Sequence, residues 1–154
     1  MRDKDGISAA LLVIEMASML KEDGRSLTDV LDDLDREHGV HATSQVSVRV
    51  SDLGRITGIM SRLRASPPKS IVGIDVLRMD DLEAPIDGLP PTDGLRFSLA
   101  GGARIIVRPS GTEPKIKCYL EVIEHPLGTD LETARASAAQ RMEALRDAVA
   151  PWLE

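Results

Sequence analysis

Apolar positions follow a helical rhythm up to residue 42 and an alternating rhythm through most of the rest of the chain. Ile7–Leu20 is apolar except for Ser8, Glu15 and Ser18, which predicts a helix that is apolar almost all round. Such a helix is normally buried on every side. Ser26 reads as an N-cap with Asp29 as its capping-box partner. It opens a second helix striped by Leu27, Val30, Leu31 and Leu34, which Gly39 stops. Two helices within the first 42 residues cannot bury the first one, so this part is expected to have been cut from something larger.

From Thr43 the period changes to two. Val46, Val48 and Val50 alternate with polar residues and predict a half-buried strand. Asp52 caps a helix striped by Leu53, Ile56, Ile59, Met60 and Leu63, and Ser66-Pro67-Pro68 ends it. Ile71–Met79 reads as one strand. The acidic, proline-rich stretch from Asp80 to Asp93 reads as a solvated loop. Leu95, Phe97 and Leu99 predict a third strand, and Gly101-Gly102 a hairpin turn into a fourth, Arg104–Arg108. Ile116, Cys118, Leu120 and Val122 predict a fifth. A last helix, capped near Thr129 or Asp130, carries Leu131, Ala134, Ala138, Met142, Leu145 and Val149 at spacings of three and four. The expected fold is α+β: a mostly antiparallel sheet of four to five strands with helices on one face. The expected division is a helical segment over 1–42 and a domain over 43–154.

Composition narrows the function. The chain has 154 residues, 2% aromatic residues and a net charge of −6. An acidic surface poor in aromatic platforms argues against nucleic-acid partners and anionic membranes. A single Cys and three His leave little for a zinc site and fit a reducing, cytoplasmic compartment. Asp3 and Asp5 stand where a signal peptide needs positive charge, and Ile7–Leu20 is shorter than the ~20 apolar residues that span a bilayer. Cys118 alternates with core positions and reads as a small buried hydrophobe. His38, His41 and His125 read as loop residues, and Met16, Met19 and Met60 as core filler. Trp152 reads as packing the last helix down or as marking a contact with a missing domain.

Arg108-Pro109-Ser110-Gly111-Thr112-Glu113-Pro114-Lys115 carries the candidate chemistry. Two prolines fix its ends, and Gly111 permits positive φ and a close approach. Successive N–H groups in such a turn can cradle an anion, and Ser110 and Thr112 add hydroxyls. Arg108 offers a planar fork suited to phosphate. Four basic residues and one acid lie between Arg104 and Lys117, so this stretch is +3 while the rest of the chain is −9.

The run from Arg108 to Val122 resembles the phosphate-binding loop and following strand of the α-D-phosphohexomutase family. Asp3-Lys4-Asp5-Gly6-Ile7-Ser8-Ala9-Ala10 resembles the entry to the last helices of that family's third domain. The resemblance covers essentially the whole chain, as the end of a third domain followed by the fourth. It implies an enzyme that interconverts sugar 1- and 6-phosphates. A phosphoserine donates its phosphoryl group, and the resulting bisphosphate returns the other one. It implies Arg108, Ser110, Gly111 and Thr112 as the grip on the phosphate not being transferred, with Lys117 assisting and Lys4 as a possible active-site contact. The sugar leans to the glucose/mannose or pentose branches over the glucosamine branch. The family's phosphoserine, sugar-recognition and metal loops have no counterpart here. Asp33-Leu34-Asp35-Arg36 looks like half of the metal loop, but residues two apart on a helix point ~200° apart and cannot share one ion. The resemblance therefore implies no catalytic residue, metal or cofactor in this chain, and no mutase turnover by it alone. Mg2+, a sugar bisphosphate activator, a phosphosugar substrate and the missing N-terminal domains belong to the full-length enzyme. The alternative is a free-standing anion-binding or interaction module.

Overall fold

The computed structural model describes residues 4–86, 88, 90–126, 128 and 130–153. The elements in chain order are α1 (Gly6–Glu22), α2 (Leu27–His38), β1 (Val40–Arg49), α3 (Leu53–Ala65), β2 (Ser70–Ile71) and β3 (Ile74–Asp81), followed by β4 (Leu95–Leu99), β5 (Arg104–Pro109), β6 (Lys115–Glu124) and α4 (Leu131–Val149). The strands form one sheet in the order β1-β6-β5-β4-β3-β2, and every neighbouring pair is antiparallel.

Alternation along the strands divides the sheet into two faces. Leu95, Phe97, Leu99, Ile105, Val107, Ile116, Cys118, Leu120 and Val122 point inward and are buried. Ile56, Ile59, Met60 and Leu63 of α3 pack against this face, as do Met142, Leu145 and Val149 of α4. Their spacing of three and four puts each set on one helical stripe. Trp152 meets Phe97 edge-on, with ring centroids 5.7 Å apart, and pins the chain end to the core. The opposite face carries charged and polar residues interspersed with Ile106, Tyr119 and Ile123.

The structure adjusts several local expectations, among them that His38 and His41 lie in α2 and β1 and not in loops and that Leu53 is exposed. The run Ile71–Met79 is two strands, because Val72 (φ 51) and Gly73 (φ 75) form a two-residue hairpin turn. Positive φ at both central residues is what that turn needs, and an apolar Val there conceals it from a hydrophobicity pattern. β1 begins at Val40, earlier than Thr43, because Val40 pairs with Glu124 and packs on Leu131, Ala134 and Ala138. Asp80 and Asp81 belong to β3. Asp80 is held by Arg96 at 2.9 Å and Arg78 at 3.2 Å, and Asp81 by Arg64 at 2.8 Å. Met60 is core, but Met16 and Met19 are 40% and 62% exposed. The helix-4 N-cap is Asp130; Asp87 and Thr129 lie outside the described residues.

α1 and α2 contain no buried residue. Ile7, Leu11, Ile14 and Met19 face solvent, with Ile7 80% exposed. The pair joins the body at Gly39, where φ is +95 and a Cβ would stand 2.9 Å from His125 Nδ1. Arg135 of α4 adds ion pairs to Asp32 at 2.6 Å and Asp35 at 2.7 Å. No helix among the described residues is long and apolar enough to cross a membrane.

Candidate phosphate-binding loop

The segment between β5 and β6 is a tight connection at the end of these paired strands. Ser110 N–H donates to the Lys115 carbonyl at 2.8 Å, and Lys115 N–H to the Glu113 carbonyl at 2.7 Å. Val50 N–H donates to the Pro114 carbonyl at 2.9 Å and ties the loop to the end of β1. Those bonds commit the Ser110 amide. The amides of Gly111 and Thr112 and the hydroxyls of Ser110 and Thr112 make no hydrogen bond among the described residues. Gly111 does not use positive φ, contrary to expectation. A Cβ there would meet nothing within 4 Å, so the glycine leaves this part of the backbone bare.

Cations around the loop fall into two groups. Lys115 is paired with Glu113, which also accepts from Arg49 at 2.9 Å. The hydrogen bond from Lys115 holds the Glu113 carboxyl below the usual carboxylate range, and the charge of Arg49 adds to this. Arg108 and Lys117 form the second group. They are cross-strand partners on β5 and β6, and neither has a carboxylate partner among the described residues. Arg108 Nε is 3.4 Å from the Pro109 carbonyl, and Lys117 Nζ lies 5.9 Å from the Tyr119 ring centroid. A carboxylate-free pair of cations beside unused donors can take up an anion by charge-assisted hydrogen bonds.

Five of the site residues read from the sequence, Arg108, Ser110, Gly111, Thr112 and Lys117, therefore come together at one corner of the sheet. Lys4 does not join them by any hydrogen bond or ion pair; it is exposed just before Asp5, the N-cap of α1. Asp33 and Asp35 are held by different arginines, Asp33 by Arg25 and Arg36 and Asp35 by Arg135. Among the described residues no three His, Cys, Asp or Glu side chains gather at one point. Burial pushes the Cys118 thiol up to about 12, which disfavours the thiolate form. Arg49, Arg96 and Tyr119 were missed as neighbours of this corner, and Arg104 was counted only in the net charge of the stretch. Tyr119 shares the face of Lys117 by simple alternation, whereas Arg96 and Arg104 require the strand order.

Residues 47–138 match the family described as "Phosphoglucomutase/phosphomannomutase, C-terminal domain". A probable phosphomannomutase of Haemophilus influenzae is 45% identical over 120 residues, covering 78% of this chain and 24% of that protein. A phosphopentomutase of Mus musculus is 29% identical over 161 residues, covering 94% of this chain and 26% of that protein. The solved structure of the phosphoglucomutase parafusin from Paramecium, in its open form, shares the fold. Its TM-score is 0.62 at 22% identity, over 97% of this chain and 28% of that one. The chain thus spans about a quarter of the length of the relatives it matches. With more than half of its residues in the match, the chain belongs to the phosphoglucomutase/phosphomannomutase family and carries that family's C-terminal domain.

Proposed function

We propose that this chain is the phosphate-holding domain of a phosphohexomutase. In that role it grips the phosphate of a hexose 1- or 6-phosphate that is not being transferred. The observation that carries this reading is the facing pair Arg108 and Lys117, left without a carboxylate beside the unused donors of Ser110, Gly111 and Thr112. The contribution is electrostatic positioning: a held phosphate turns a bimolecular encounter into an oriented one. Holding either end of a bisphosphate by the same grip would let the sugar be presented in two orientations.

On this reading residues 1–42 are the tail of the preceding domain and 43–154 the C-terminal domain of a cytoplasmic enzyme. The apolar, unburied α1 supports it, because Ile7, Leu11 and Ile14 need a partner that this chain does not supply. The phosphoserine, Mg2+ and a sugar bisphosphate activator would then be handled by domains outside this chain, and the chain alone would have no mutase turnover. The test is an amide-resolved NMR titration with inorganic phosphate, repeated on Arg108→Ala. Saturable shifts at Ser110–Thr112 that the variant loses are expected. Silence at those amides at millimolar phosphate would overturn the reading for the isolated chain. Measurable turnover by the pure chain would overturn its inactivity.

A further inference from the structure

The chain has three aromatic rings, one each of Phe, Trp and Tyr. Phe97 and Trp152 pack on each other at the core. Tyr119 instead stands on the opposite face of the sheet, 37% exposed. It faces Ile106 across the β5–β6 ladder, in the register position next but one to the Arg108–Lys117 pair. Two residues along a strand is about 7 Å. The ring also touches the grip, through the Lys117 ammonium 5.9 Å from its centroid.

Tyr119 and Ile106 line a depression of about 160 Å³ together with Thr43, Arg104 and Glu121. Arg104 donates to Glu121 at 2.7 Å, and His41 Nδ1 lies 3.4 Å from the same carboxylate; a carboxylate has lone pairs left after two such contacts. A flat ring bordered by a hydroxyl, a carboxylate and a guanidinium matches a sugar, which has apolar C–H faces and a rim of hydroxyls. A second hollow of about 530 Å³ shares Ile106 and Arg104 with it and reaches Arg108, and is walled by Leu82, Ile86, Pro90 and Pro91 beside Thr92 and Arg96. Only the first hollow has Tyr119 in its wall.

We infer that Tyr119 seats the sugar ring of a phosphosugar whose phosphate is held by Arg108 and Lys117. This rests on the phosphate assignment above. The ring of a hexose 6-phosphate begins one exocyclic carbon beyond the C–O–P linkage, which suits the step of about 7 Å between the two rows. The exposed edge of Tyr119 gives contact area at little entropic cost, since only two side-chain torsions are fixed.

The experiment compares inorganic phosphate, ethyl phosphate and glucose 6-phosphate as NMR titrants on the wild-type chain, Tyr119→Ala and Tyr119→Phe. Glucose 6-phosphate is expected to bind roughly two- to tenfold more tightly than ethyl phosphate to the wild type. Tyr119→Ala should erase that advantage while leaving ethyl phosphate within about twofold, and Tyr119→Phe should keep it. An unchanged ratio in Tyr119→Ala, or Tyr119 ring signals that glucose 6-phosphate leaves unmoved, overturns the inference alone. No response to any phosphate at Ser110–Thr112 overturns the phosphate assignment and this inference with it.

Discussion

Arg108 stands directly opposite Lys117 across the β5–β6 ladder. Like charges on facing positions destabilise a sheet by ~0.2–1 kcal/mol. The nearby carboxylate of Glu113 relieves Lys115 and Arg49 and leaves this pair alone. The corner therefore carries a cost in the empty protein that a bound anion would remove.

Neutralising one partner should separate stability from binding. Lys117→Gln keeps the length of the side chain and removes its charge. It is expected to stabilise the unliganded chain by ~0.2–1 kcal/mol. Phosphate should raise the melting temperature of the wild type and leave the variant unmoved, because only a state that binds ligand is stabilised by mass action. Melts with and without phosphate check both halves.

Glu113 restrains the loop's positive charge. Glu113→Gln frees Lys115 and Arg49, and phosphate affinity should rise about two- to fivefold at low salt and converge with the wild type at high salt. The carboxyl is depressed by Lys115. Its contribution to stability is therefore fully present above the usual Glu pKa of ~4.3 and is lost as pH falls through the lowered folded value. Acid titration of wild type and Glu113→Gln should show that part of the pH dependence missing in the variant.

Arg135 is the charged link between α4 and the N-terminal helices, donating to both Asp32 and Asp35. α2 buries no residue of its own. Arg135→Ala should speed amide exchange in α2 while protection in β5 and β6 stays at the wild-type level. Local opening reports the few contacts that hold a segment. Equal acceleration in the strands would mean that the clamp supports the whole domain.

Cys118 is fully buried on the inner face, and burial raises its thiol to about 12. Thiol reagents should fail to label the native chain and label it at once in denaturant. Cys118→Ser, which places a hydroxyl where no partner waits, should cost about 1–3 kcal/mol in a denaturant melt. The phosphate response should survive it, since the inner face supplies nothing to the loop.

Periodicity alone carried most of the architecture. The stripes of α3 and α4 and the alternation of β4, β5 and β6 each name one buried face, except that Leu53 at the start of the α3 stripe stays exposed. The caps Ser26, Asp52 and Asp130 accept the backbone N–H groups that their positions predict. The loop from Arg108 to Lys115 was legible for the same local reason, since proline, glycine and small hydroxyl residues dictate a turn without help from afar. The hairpin at Val72-Gly73 was not legible, because an apolar residue in a turn looks like a strand. The solvation of Asp80 and Asp81 was misread because arginines from β4 and α3 reach them only after folding. By itself the sequence determined where helices, strands and the bare turn occur, because those follow from backbone and side-chain periods within a few residues. Only the tertiary structure decided that Arg108 faces Lys117, that Glu113 absorbs Lys115 and Arg49, and that Tyr119 stands beside them. Strand register and order bring together charges far apart in the chain, and no local pattern encodes which cation is left without a partner.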